Sequence, residues 1–198
     1  VEETGFVLEE RPEGKTLIVT GDWTERGAAA LSEGVADGLW LNYARGYRER
    51  SLDFLRPWPI RRLDILARTI KDIEPIYRLA DTLEDLHLTT APNAVLDCAR
   101  LPRLRSVWVE NWGQLRDTVA FASRLQKVGV YGYVETDLLA FTQNVQLTSI
   151  RLKQAPRLQS LLGIETLACL ESLQIAGAQR LHDFGPLGSS TATHLREL

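Results

Sequence analysis

Apolar residues recur along this chain in one fixed phrase: an apolar position, two residues, a second apolar position, one residue, a third. It reads Leu83, Leu86, Leu88; Leu104, Val107, Val109; Leu125, Val128, Val130; Leu147, Ile150, Leu152; and Leu170, Leu173, Ile175. Following the middle position outward adds Leu63 with Ile65, Leu39 with Leu41 and Leu17 with Val19 upstream, and Leu195 with Leu198 at the end. The intervals are 22, 24, 23, 21, 21, 22, 23 and 25 residues. A fixed period in this range predicts a stacked solenoid.

Within each copy the apolar pattern has period two, as in Asp85-Leu86-His87-Leu88-Thr89. Leu86 and Leu88 therefore face one side of a short strand, and Asp85, His87 and Thr89 face the other. One such strand cannot bury its apolar side alone. Stacked beside its equivalents it forms a parallel sheet, with the return segments as the second wall of a continuous core. The returns carry Val95, Leu96 and Leu101; Val119, Phe121 and Ala122; Leu138, Leu139 and Phe141; and Leu161, Leu162, Ile164 and Leu167.

The repeated phrase resembles the leucine-rich-repeat family over nearly all of the chain, weakening only before Asp37. The resemblance implies an α/β fold: a right-handed β-α superhelix with a parallel concave sheet and short helices or turns on the convex side. Many members place Asn or Cys three residues after the last strand leucine, where it bonds the turn. Here those positions read Ala44, Arg68, Ala91, Trp112, Tyr133, Ala155 and Ala178. An irregular subtype without that ladder is expected, its turns bonded to themselves or to water. Residues 1–198 read as a single solenoid domain, with a capping hairpin and first strand in 1–22 and repeats in 37–198. Arg45–Pro59 fits no return and reads as a looser loop.

Composition adds constraints. Net charge is −3, with 44% apolar and 25% charged residues, so neither nucleic acid nor an anionic membrane is an expected partner. No apolar run approaches the roughly 18 to 20 residues of a membrane span. Cys98 and Cys169 lie three repeats apart, roughly 14 Å at the ~4.8 Å strand spacing, beyond disulfide reach. Both read as buried small hydrophobes in a reducing, cytoplasmic protein. Lys occurs only at positions 15, 71, 127 and 153 against a majority of Arg, a usage suggestive of a GC-rich, bacterial genome. The chain begins at Val1 and stops at Leu195-Arg196-Glu197-Leu198, the opening of a further strand. This edge is expected to continue into further sequence, or to pair with another chain or a second copy.

Catalytic and metal motifs are missing, and no cofactor is implied. His87, His182 and His194 are dispersed. Asp64 and Glu110 face the same side two strands apart, ~10 Å at the strand spacing, so a hydrolase using acids on the concave face is the least favoured reading. The informative residues are those facing away from the core: Trp40, Asp64, His87, Trp108, Gly129 and Arg151 in the central column, with Glu110, Tyr131 and Lys153 one alternate place along. Trp, Tyr and Arg are frequent interface anchors. Acid gathers at Asp64, Glu84 and Asp85, and base at Lys127, Arg151 and Lys153.

Gly129 between Trp108 and Arg151 predicts a notch one side chain wide; alternatively, it lets Arg151 fold onto Trp108 in a cation-π contact that fills the gap. The expected function is non-catalytic binding of a partner protein on the concave sheet. The alternative is a regulatory or sensing region of a larger chain, covering a neighbouring domain.

Overall fold

A computed structural model describes residues 5–189 and 195–196 of the protein. His194 and Leu198, and with Leu198 the expected pairing edge, lie outside the described residues. Two compact units are present, Val1–Ala94 and Val95–Leu198.

In the first unit, β1 (Phe6–Arg11) and β2 (Gly14–Val19) pair antiparallel around Pro12 and Glu13. Parallel strands then follow in chain order: β3 (Gly38–Asn42), β4 (Arg62–Leu66) and β5 (Asp85–Thr89). The period-two pattern becomes two apolar rows, Leu17-Leu39-Leu63-Leu86 and Val19-Leu41-Ile65-Leu88, none more than 1% exposed. Helix α1 (Glu25–Ser32) joins β2 to β3 and starts at Thr24, whose hydroxyl accepts the Gly27 N–H at 3.2 Å.

The 45–59 segment is not the looser loop expected. Tyr47, Leu52, Leu55 and Trp58 in it are buried. Phe54 stacks on Trp23 at 4.2 Å between centroids, Trp58 lies 5.6 Å from Trp23, and Tyr47 meets Phe54 edge-on at 6.5 Å. Arg78 pins the segment by donating to the carbonyls of Asp53 and Leu55 at 2.9 and 2.8 Å. Burial of the Tyr47 ring pushes its phenol pKa up.

The second unit stacks β6 (Ser106–Val109), β7 (Lys127–Tyr131), β8 (Ser149–Lys153) and β9 (Ser172–Ala176), parallel and in chain order. Its core rows are Val107-Val128-Ile150-Leu173 and Val109-Val130-Leu152-Ile175. All are buried except Ile175, which was expected inside and is half-exposed. The returns contain short 3-10 turns, at Cys98–Arg100, Val119–Phe121, Leu139–Phe141 and Ile164–Thr166.

Each of these returns makes two successive i to i+3 bonds. Ala122 N–H donates to Val119 and Leu125 N–H to Ala122; Leu167 donates to Ile164 and Leu170 to Leu167. The second bond ends on the leucine that opens the repeated phrase, which ties that residue to its place. A three-residue turn buries only one of its side chains. Val119, Phe141 and Ile164 point inward, whereas Val95, Phe121, Leu139 and Leu162, expected as core marks, are exposed. Cys98 is buried as expected, but Cys169 is exposed.

Side chains also satisfy the turns, which the missing Asn ladder did not predict. Asn42 accepts the Ala44 N–H at 2.8 Å, and Asn111 accepts the Gly113 N–H at 3.0 Å while Gln114 reaches back to the Asn111 N–H at 3.2 Å. Asn144, fully buried in a return, donates to the carbonyls of Val119 and Ala122 at 2.9 and 3.1 Å. The ladder positions Trp112 and Tyr133 instead build a core with Phe141, at 4.8 to 5.7 Å between centroids. Trp112 donates to Glu135 at 2.7 Å, and Tyr133 to the Asp137 carbonyl at 2.6 Å.

Candidate functional site

On the open face of the first unit, register aligns Ile18, Trp40, Asp64 and His87 across four strands. Ile18 is fully buried although it sits in this outward column. Half-buried Trp40 carries the Arg11 guanidinium 4.6 Å and the Arg45 guanidinium 5.5 Å from its ring centroid. Arg11 is also paired with Glu9 at 2.9 Å. Further along the column, Asp64 and His87 meet at 3.5 Å.

A polar cleft of about 240 Å³ beside them is lined by Arg11, Glu13, Thr16, Arg62, Asp64 and Asp85, among others. Arg62 is committed to the scaffold: it pairs with Asp37 at 2.6 Å and donates to the Glu13 carbonyl. Arg61 pairs with Glu84 at 2.8 Å, which holds its guanidinium pKa above the usual range. Within the expected acidic group, Glu84 is thus neutralised and Asp64 faces an imidazole. Thr89, read as outward, is buried at the end of its strand, and so is Asn42 at the equivalent place on β3. Thr16 is the one hydroxyl among the cleft-lining residues and is 4% exposed, a poor position for a nucleophile.

The open face of the second unit carries the other expected residues. Register puts Trp108, Gly129, Arg151 and Gln174 in one column, and Tyr131, Lys153 and Ala176 in the next. The open notch expected at Gly129 is filled by Trp108 itself. A Cβ at Gly129 would fall inside the indole, only 2.5 Å even from Cδ2. With the ring lying flat over this bare backbone, the Arg151 guanidinium sits 5.7 Å and the Lys153 ammonium 5.6 Å from its centroid. Tyr131 remains 38% exposed at the side of the cluster. Beyond it Arg151, Leu152, Lys153, Gln174, Ile175 and Ala176 line a shallow trough of about 360 Å³. Glu110 follows β6 and is half-buried. Among the described residues no group of three His, Cys, Asp or Glu side chains is placed to hold a metal.

Sequence reasoning missed a groove of about 340 Å³ between α1 and the 45–59 segment, lined by Trp23, Phe54 and Trp58 with Ala28, Ala29 and Arg56. The aromatic residues outside the strand phrase were its only signal.

Strands at a 21 to 24 residue period, paired in register with short 3-10 returns, define a leucine-rich-repeat solenoid of the α/β class. No family model and no curated protein matches the chain. Among solved structures it is similar to internalin C2 of Listeria monocytogenes, at 20% sequence identity and a TM-score of 0.59, over 92% of this chain and 77% of that one. Internalin F of the same organism is 17% identical with a TM-score of 0.42, over 70% of this chain and 53% of that one. No helix among the described residues is long and apolar enough to cross a membrane.

Proposed function

We propose that this is a non-catalytic protein-interaction module whose open sheet face binds another protein. The observation that carries the reading is the Trp108 cluster, an indole on an open strand face flanked by Arg151, Lys153 and Tyr131. The few residues that carry most of the binding energy at protein interfaces are enriched in Trp, Tyr and Arg. Trp40, with Asp64 and His87 beside it, extends the same surface type on the first unit, and Gly129 and Glu110 complete the set on the second. The unpaired thiols Cys98 and Cys169, the latter exposed, support a reducing, cytoplasmic setting.

Affinity capture from a lysate of the source organism tests this, comparing the parent with Trp40→Ala, Trp108→Ala and Tyr131→Ala. A protein retained by the parent and by Arg180→Ala, an exposed turn variant, should be lost from Trp108→Ala. If it is retained equally by all folded variants, the open face is not the binding surface.

A further inference from the structure

We infer that the second unit's open face takes an extended acidic segment of its partner, seated along β8; this rests on the protein-binding reading above. Lys127, Arg151 and Lys153 are all exposed, and none forms an ion pair among the described residues. Arg151 and Lys153 both lie within 6 Å of one indole centroid. The ring quadrupole attracts each, but two like charges gathered on one ring repel each other. A carboxylate entering from solvent is the counter-ion this arrangement lacks.

The spacing favours an extended ligand. Arg151 and Lys153 alternate on one strand and so stand roughly 6.6 Å apart, the distance between residues i and i+2 of another extended chain. Lys127 is registered with Ser149 on the neighbouring strand, which places it roughly 8 Å from Arg151 on the diagonal. Carboxylates at alternate positions of the segment can therefore meet successive cations. Side chains between them point away from the sheet, toward solvent. Nucleic acid is a weaker fit: three cations are few for a phosphate backbone, and the chain's net charge is −3.

A random dodecapeptide display library panned on the intact protein tests this. The enriched peptides should share acidic residues at alternate positions, lose affinity as salt is raised, and bind the folded Arg151→Glu/Lys153→Glu variant about tenfold or more weakly. Arg180→Glu should leave their binding unchanged. An output without acidic enrichment, no output, or acidic peptides that bind the double variant as well as the parent would each overturn the inference. So would displacement of the peptides by a single-stranded oligonucleotide at equal concentration, which would mark the face as a general polyanion site. Non-acidic binders lost on Trp108→Ala would overturn only the acidic inference and leave the protein-binding reading standing. Binders indifferent to every open-face substitution would sink both.

Discussion

Gly129→Ala is the smallest change that probes how the open face is built. Gly129 sits in β7 in ordinary strand pairing, so alanine there relieves the entropic penalty of a strand glycine, roughly 0.5 to 1 kcal/mol. The opposing term comes from Trp108, whose ring atoms occupy the place of the new methyl. A tryptophan buries about 150 to 250 Å² when enclosed, so lifting a half-buried indole exposes on the order of 100 Å². At about 25 cal/mol per Å² that costs roughly 2.5 kcal/mol as an upper limit. Separating Arg151 and Lys153 from the ring adds about 0.5 to 1 kcal/mol for each exposed contact.

The displaced ring recovers part of this by lying elsewhere, leaving a net loss of about 2 kcal/mol. Urea denaturation followed by far-UV circular dichroism measures it, and a double-mutant cycle isolates the cause. In a Trp108→Ala background the same Gly129→Ala change should become neutral or stabilising. If Gly129→Ala is as stable as the parent with Trp108 intact, the indole does not lie over Gly129 and the reasoning fails.

Leu88→Ala and Leu152→Ala, each at a fully buried row position, should cost about 2 to 5 kcal/mol; a loss under about half a kcal/mol in the same assay would contradict the register. Ellman's reagent on the native protein should titrate Cys169 at once and Cys98 only after unfolding; two thiols reacting at the same rate would contradict this. Burial pushes the Cys98 thiol up to about 11, so its native state holds the proton longer than the unfolded chain does. Its contribution to stability is complete below the unfolded thiol value of about 8.5 and is lost as pH rises toward 11. Cys98→Ala should flatten stability across that window; an unchanged slope would refute the assignment.

The apolar phrase made the strands, their order and their register legible, because period two admits only one face for Leu86 and Leu88. The returns were less legible. A 3-10 turn sends neighbouring apolar residues to opposite sides, so Val119 and Phe121 look alike in sequence but part in space. The Arg45–Pro59 segment matched no repeat, and its order comes from ring contacts with Trp23, more than twenty residues away from Arg45, which no periodicity encodes. Trp108, Gly129, Arg151 and Lys153 were all identifiable as outward residues. What the sequence could not fix was the rotamer: the same column allows an empty notch or a ring lying in it, and only the packing of the indole on bare backbone selects the second. Cys169 shows the same limit, since an apolar neighbourhood in sequence did not make it buried.

Hydroxyl-radical footprinting of the protein alone and with its captured partner tests the binding surface most directly. Phe121, 63% exposed on a return, is the internal reference for Tyr131, 38% exposed on the open face. Partner binding should protect Trp108 and Tyr131 from oxidation and leave Phe121 unchanged. Protection of Phe121 with Trp108 and Tyr131 oxidised as before would place the partner on the returns and contradict the account.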